Sequence, residues 1–136
     1  MRAKLREIAA AANPKQALLD AVGDMSGVDV FHNLVLVATY IEPEMTAGGI
    51  IKPDRALIDN RFQGKAFLVL KKGPLAFKDD TVAKFGGMTV EEGDWVMARP
   101  SDGLEFFIVT GGEGVCCRLY EDVNIKARIA DPELVY

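Results

Sequence analysis

The chain has 136 residues, 49% of them hydrophobic and 26% charged, with a net charge of −4. That length builds one domain with a real core but not comfortably two, and the mildly acidic balance lacks the electrostatic footprint of general nucleic-acid binding. No apolar run approaches the ~18–20 residues of a membrane span; the basic start, Arg2, Lys4 and Arg6, is interrupted by Glu7 with no apolar stretch behind it, so no signal peptide is expected and cytoplasmic synthesis is.

Residues 1–12 read as a helix, with Leu5, Ile8, Ala9 and Ala12 at helical spacing. Asn13-Pro14 stops it and starts another. Asn13 suits an N-cap, Pro14 the first helical position, and Gln16 completes the spacing of a capping box. Leu18, Leu19 and Val22 supply an apolar face and Gly23 stands where a helix-ending glycine belongs. This extension, 1–27, has too little apolar area to be a domain alone.

From Val28 the composition turns to strand, with turn signals at short intervals, the signature of an all-β barrel or sandwich. The expected strands are Leu34–Ile41, Lys65–Leu70, a segment around Trp95-Val96-Met97, Leu104–Thr110, Val115–Leu119 and Ile125–Ile129. Gly73-Pro74 ends the second, and Pro100-Ser101-Asp102-Gly103 reads as a hairpin turn. Lys71-Lys72 and the Asp79-Asp80 tip read as solvated charge. The tail, 130–136, ends on Leu134, Val135 and Tyr136, apolar residues suited to being held against another surface.

Between the first two strands lies an unusually long link, 42–63. Two prolines and Gly48-Gly49 argue against regular structure across it, and Ile50-Ile51 follows the glycines directly. Two readings of the residues stand side by side: a docking arm that becomes ordered on a partner, or a surface loop that folds its isoleucines back onto its own core.

Catalytic chemistry needs a nucleophile, a base and an electrophilic site. Ser26 and Ser101 sit in glycine-containing turns without a nucleophile elbow. His32 is the single histidine and lacks a metal-ligand partner at the right spacing. The Gly111-Gly112-Glu113-Gly114 run lacks the Lys-Ser/Thr of a phosphate loop. The two cysteines, Cys116 and Cys117, are adjacent. In a strand they point to opposite faces, so one is expected buried and the other outward, available for a crosslink to another chain. The expectation is a non-enzymatic protein with no cofactor and no metal.

From Val30 to Ile129 the pattern resembles the GroES-type co-chaperonins, and most closely the diverged GroES-like proteins of tailed bacteriophages. The resemblance rests on the strand Asn33–Val37 and on Thr46-Ala47-Gly48-Gly49-Ile50-Ile51. It continues through Gly64–Pro74, Val90-Glu91-Glu92-Gly93-Asp94-Trp95-Val96 and Tyr120-Glu121-Asp122-Val123. It implies an irregular β-barrel over 28–129, a mobile loop over 42–63 that docks on a protein partner, and a homo-oligomer. By that resemblance the partner-binding residues are Thr46, Ala47, Gly48, Gly49, Ile50, Ile51 and Lys52. The family's loop ends in three apolar anchors; here Lys52, followed by Pro53, holds the third position. The segment before Val28 and the tail after Ile129 are additions. These departures turn the expectation toward a capsid decoration or minor capsid protein of the phage head, clamped to the major capsid protein. The alternative is a phage co-chaperonin that caps a host chaperonin for capsid-protein folding. Either is made in the host cytoplasm, binds no nucleic acid and enters no membrane.

Overall fold

A computed structural model describes residues 13–40, 65–78, 84–109 and 114–134. The helix expected over 1–12, the long link, the Asp79-Asp80 tip, residues 111–113, Val135 and Tyr136 lie outside the described residues.

The described chain is mostly sheet. One helix, α1 (Pro14–Val22), precedes six strands: β1 (Leu34–Thr39), β2 (Ala66–Lys72), β3 (Trp95–Met97), β4 (Leu104–Ile108), β5 (Val115–Glu121) and β6 (Ala127–Ile129). They form one antiparallel sheet in the order β4-β5-β1-β2-β3-β6.

The start of α1 follows from its sequence. Asn13 is extended and its Oδ1 accepts from the Gln16 N–H at 3.2 Å, while Pro14 occupies the first turn. Gly23 ends the helix at φ 71°, its N–H donating to the Leu19 carbonyl. The reciprocal half of the capping box is replaced: the Gln16 side chain donates to Asp20 at 2.8 Å. The apolar face is also shifted. Leu18, Ala21 and Val22 are buried, but Leu19 faces solvent, because the helical period places Ala21 rather than Leu19 on the stripe shared by 18 and 22.

Strand alternation gives the sheet two buried faces. On one, Leu36, Ala38, Leu68, Leu70, Trp95 and Cys117 pack with α1 and with Met25, Val28 and Val30. On the other, Val35, Val37, Phe67, Val69, Val96 and Tyr120 pack with Ala76, Val90 and Ala98. A central strand buried on both faces reads as a continuous apolar run, which is why Leu-Val-Leu-Val-Ala in β1 shows no polar alternation.

The register of β1 against β2 slips between Leu36 and Val37: Val37 pairs with Val69, but Leu36 pairs with Lys71. Leu70 is the extra residue of a bulge. Opposite Leu36, Lys71 stands on the α1 face. Its Nζ donates to the Val28 carbonyl at 2.7 Å and to that of Met25, closing the link between helix and sheet. Lys72 turns to Thr89 and Glu91. The expected solvated lysine pair is therefore corrected. One residue of bulge gives the two lysines separate structural tasks.

The hairpin expected at Pro100-Ser101-Asp102-Gly103 is corrected too. Those residues begin with a single 3-10 turn, Pro100–Asp102, but β3 pairs with β2 and β6, and β4 pairs with β5. The segment carries the chain to the opposite edge. Four inter-strand spacings in a flat sheet amount to about 19 Å, near the limit of what residues 98–103 can span with a 3-10 turn among them. The path lies across β5. The Tyr120 hydroxyl donates to the Arg99 carbonyl at 2.8 Å, and a Cβ on Gly103 would come within 2.9 Å of the Tyr120 ring. So short a crossing requires the sheet to curl toward the face that carries Tyr120.

Candidate docking surfaces

The seven residues that the sequence marks as partner-binding, Thr46, Ala47, Gly48, Gly49, Ile50, Ile51 and Lys52, lie outside the described residues. The cysteines are within them, and both are buried: Cys117 fully and Cys116 almost so, on opposite faces of β5. The expected outward-facing cysteine is corrected. The physical reason is that β5 is buried on both faces: Cys116 shares its face with Arg118 and Tyr120, which are buried too. Burial, with Cys116 alongside, pushes the Cys117 thiol up to about 12, so it stays protonated and unreactive at neutral pH.

Beside Cys116 on that face is the least expected side chain of the core, Arg118, 2% exposed. It donates to Thr39 Oγ1 at 3.0 Å and to Glu105 at 2.9 Å, and its guanidinium lies 5.6 Å from the centre of the Phe67 ring. Three strands, β1, β4 and β5, are thereby joined through one cation. Sequence gave no signal for this, because an arginine inside Val-Cys-Cys-Arg-Leu-Tyr reads equally well as the exposed residue of a strand.

A second knot closes the end of the sheet where β1 begins and β5 ends. Asp122 is buried and accepts from Asn33 Nδ2 and from the Phe77 N–H, each at 3.0 Å; its own N–H donates to the Asn33 carbonyl. Two non-glycine residues here have positive φ, His32 at 55° and Phe77 at 59°. Gly73 is required beside them: a Cβ would lie 2.3 Å from the His32 carbonyl oxygen. His32 serves through its backbone, accepting from the Leu75 N–H at 3.0 Å. The exposed side chains of Phe31, Leu75 and Val123 lie on the loops tied together here.

A cleft of about 380 Å³ separates the start of α1 from β3 and β6, with Lys15, Asp94, Trp95, Arg128 and Ile129 among its lining. Among the described residues no three His, Cys, Asp or Glu side chains gather as metal ligands. No described helix is long and apolar enough to cross a membrane.

What the described surface does offer is apolar side chains. Leu104 is 66% exposed, Val109 64% and Phe107 40%, all on or next to β4, with Phe31, Leu75 and Val123 at the Asp122 knot. Leu134 in the tail is exposed as well. No protein-family model matches the chain, and no curated protein matches it.

Proposed function

We propose that this chain is a non-enzymatic assembly protein, a decoration or minor capsid protein of a phage head built on a GroES-like barrel. Its long loop and terminal extensions clamp it to neighbouring subunits, foremost the major capsid protein. The observation that carries the reading is the way the added helix is built into the body. Leu18 and Val22 are buried, contributing about 1.5–3 kcal/mol each by apolar burial, and Lys71 ties the following turn to the sheet. The described part of the addition, 13–27, is thus packed into the framework, as a fixed clamp requires. The six-stranded antiparallel sheet and its short crossing over Tyr120 suit a closed or nearly closed barrel. Peptide mass spectrometry of purified particles tests the reading. It predicts this chain in the particle, and its absence there would overturn the assignment.

The motif Gly48-Gly49-Ile50-Ile51 favours a second reading, a co-chaperonin that caps a host chaperonin through this loop. That reading predicts slowed chaperonin ATP turnover in the presence of the protein. It also predicts loss of capping in Ile50→Asp, which carries a charge into an apolar groove. Under the capsid reading the same change loosens particles and leaves folding of the capsid protein untouched.

A further inference from the structure

We propose that the cleft between the start of α1 and strands β3 and β6 binds a carboxylate, carried by a small organic acid or by an acidic side chain of a partner protein. The proposal stands on the described residues and is independent of the capsid reading.

The cleft holds about 380 Å³, within the size range of small-ligand sites. Trp95 and Ile129 supply apolar lining, and two cations, Lys15 and Arg128, stand against one carboxylate, Asp94. Asp94 is already engaged, its Oδ2 accepting from the Glu91 N–H at 2.9 Å. The cations keep donors in hand. Lys15 makes no hydrogen bond or ion pair among the described residues, and its ammonium lies over Gly93, where an added Cβ would come within 3.8 Å of Nζ. Arg128 donates from Nη1 to the Thr89 carbonyl at 2.9 Å. That bond steadies the guanidinium and leaves the edge formed by Nε and Nη2 without an acceptor among the described residues. Such an edge takes a carboxylate through two parallel bonds.

Trp95 offers a further donor. The residue is 5% exposed and its ring is held edge-on against Tyr40. Its indole N–H nevertheless has no acceptor among the described residues, whereas a buried indole ordinarily finds one. The N–H is not sealed from solvent, and the residue borders the cleft. The placement of Lys15 points the same way. The first turn of α1 holds no acidic residue and carries this lysine instead. A cation there opposes the helix dipole, an arrangement that an anion bound beside it relieves.

The lining also selects the anion. Two cations against one carboxylate leave a single positive charge in excess. A monoanion balances it, and a dianionic phosphate exceeds it. The apolar stem of an organic acid can lie on Trp95 and Ile129.

Trp95 is the single tryptophan, so a proton–nitrogen correlation spectrum of the full chain contains one indole resonance that reports the site. Sodium butyrate and the capped tripeptide acetyl-Ala-Glu-Ala-amide are the probes, with sodium chloride and sodium phosphate at matched ionic strength as references. A saturable shift of the indole resonance is expected with a carboxylate probe and not with either reference. Tighter binding of butyrate assigns the site to a free acid, and tighter binding of the tripeptide to a partner's side chain. Lys15→Gln and Arg128→Gln alter exposed residues, with circular dichroism checking the fold. Each is expected to weaken binding by roughly tenfold or more. No saturable shift with either probe would overturn the proposal. So would an equal shift with chloride or phosphate, or a midpoint that both substitutions leave unchanged.

Discussion

The two edges of the sheet are built on opposite plans. β6 is short and bracketed by cations, and it is tied inward: the Lys126 N–H donates to the Met97 carbonyl at 2.8 Å and Arg128 to the Thr89 carbonyl at 2.9 Å. β4 is longer, apolar on both faces, and its single charge is turned back into the sheet by Arg118. The difference lies in where charge is placed. On β6 the cations stand exposed; on β4 the one carboxylate, itself partly exposed, is paired with the buried Arg118.

The largest expected effect comes from removing the cation that arranges this. Arg118→Ala leaves a cavity beside Phe67 and strips Thr39 and Glu105 of a donor. A loss of about 2–4 kcal/mol is expected in denaturant unfolding, set by the cavity and reduced because Glu105 reaches water. Arg118→Met fills the space and is expected to cost less. If both variants match the wild type within error, Arg118 does not hold the β4 edge.

Asp122 is the counterpart near β6, since the turn it begins leads into that strand. Asp122→Ala removes the acceptor for Asn33 and Phe77 and is expected to cost about 2–3 kcal/mol. Amide exchange should speed up over 125–129 and remain unchanged over 104–108. Equal effects at both edges would contradict their separate anchoring.

A third, smaller effect concerns pH. Burial raises Cys117 from 9.0 to about 12 and pushes the Tyr120 phenol up as well. Both folded values exceed the unfolded ones, so the folded state holds more protons above pH 9. Stability is complete below that value and falls as pH rises through the window toward 12. Thermal melts between neutral and strongly alkaline pH should show the decline, and neither thiol should react with an aromatic disulfide reagent in the native protein at neutral pH. Rapid reaction of one thiol would restore the crosslinking role that burial removes.

The smallest effect expected is at the cap of α1. Asn13→Ala should cost about 1 kcal/mol by thermal unfolding and leave both edges as they are.

The local rules written into the chain account for much of this fold. Asn13-Pro14 and Gly23 set the limits of α1 because caps depend on their own neighbours. All six strands fall within or close to their expected segments, since β-branched and aromatic runs between turns carry that information. Pairing was less legible. Pro100–Gly103 has the composition of a hairpin, yet the crossing it makes depends on Tyr120, far away in the chain. The bulge at Leu70 and the burial of Arg118 are likewise decided by what packs opposite, and composition at those positions does not encode it. Of the candidate site, the cysteines were misplaced for the same reason: β5 is buried on both faces, so Cys116 is buried as well as Cys117.

The edge comparison is tested most directly by hydrogen exchange of the backbone amides in Arg118→Ala beside the wild type. The account predicts that amides of β4, Leu104–Ile108, exchange roughly tenfold or more faster in the variant, because Arg118 joins β4 to β1 through Glu105 and Thr39. Those of β6, Ala127–Ile129, should exchange at one rate in both proteins. Indifference of β4 to the substitution, or an equal response at both edges, would contradict it.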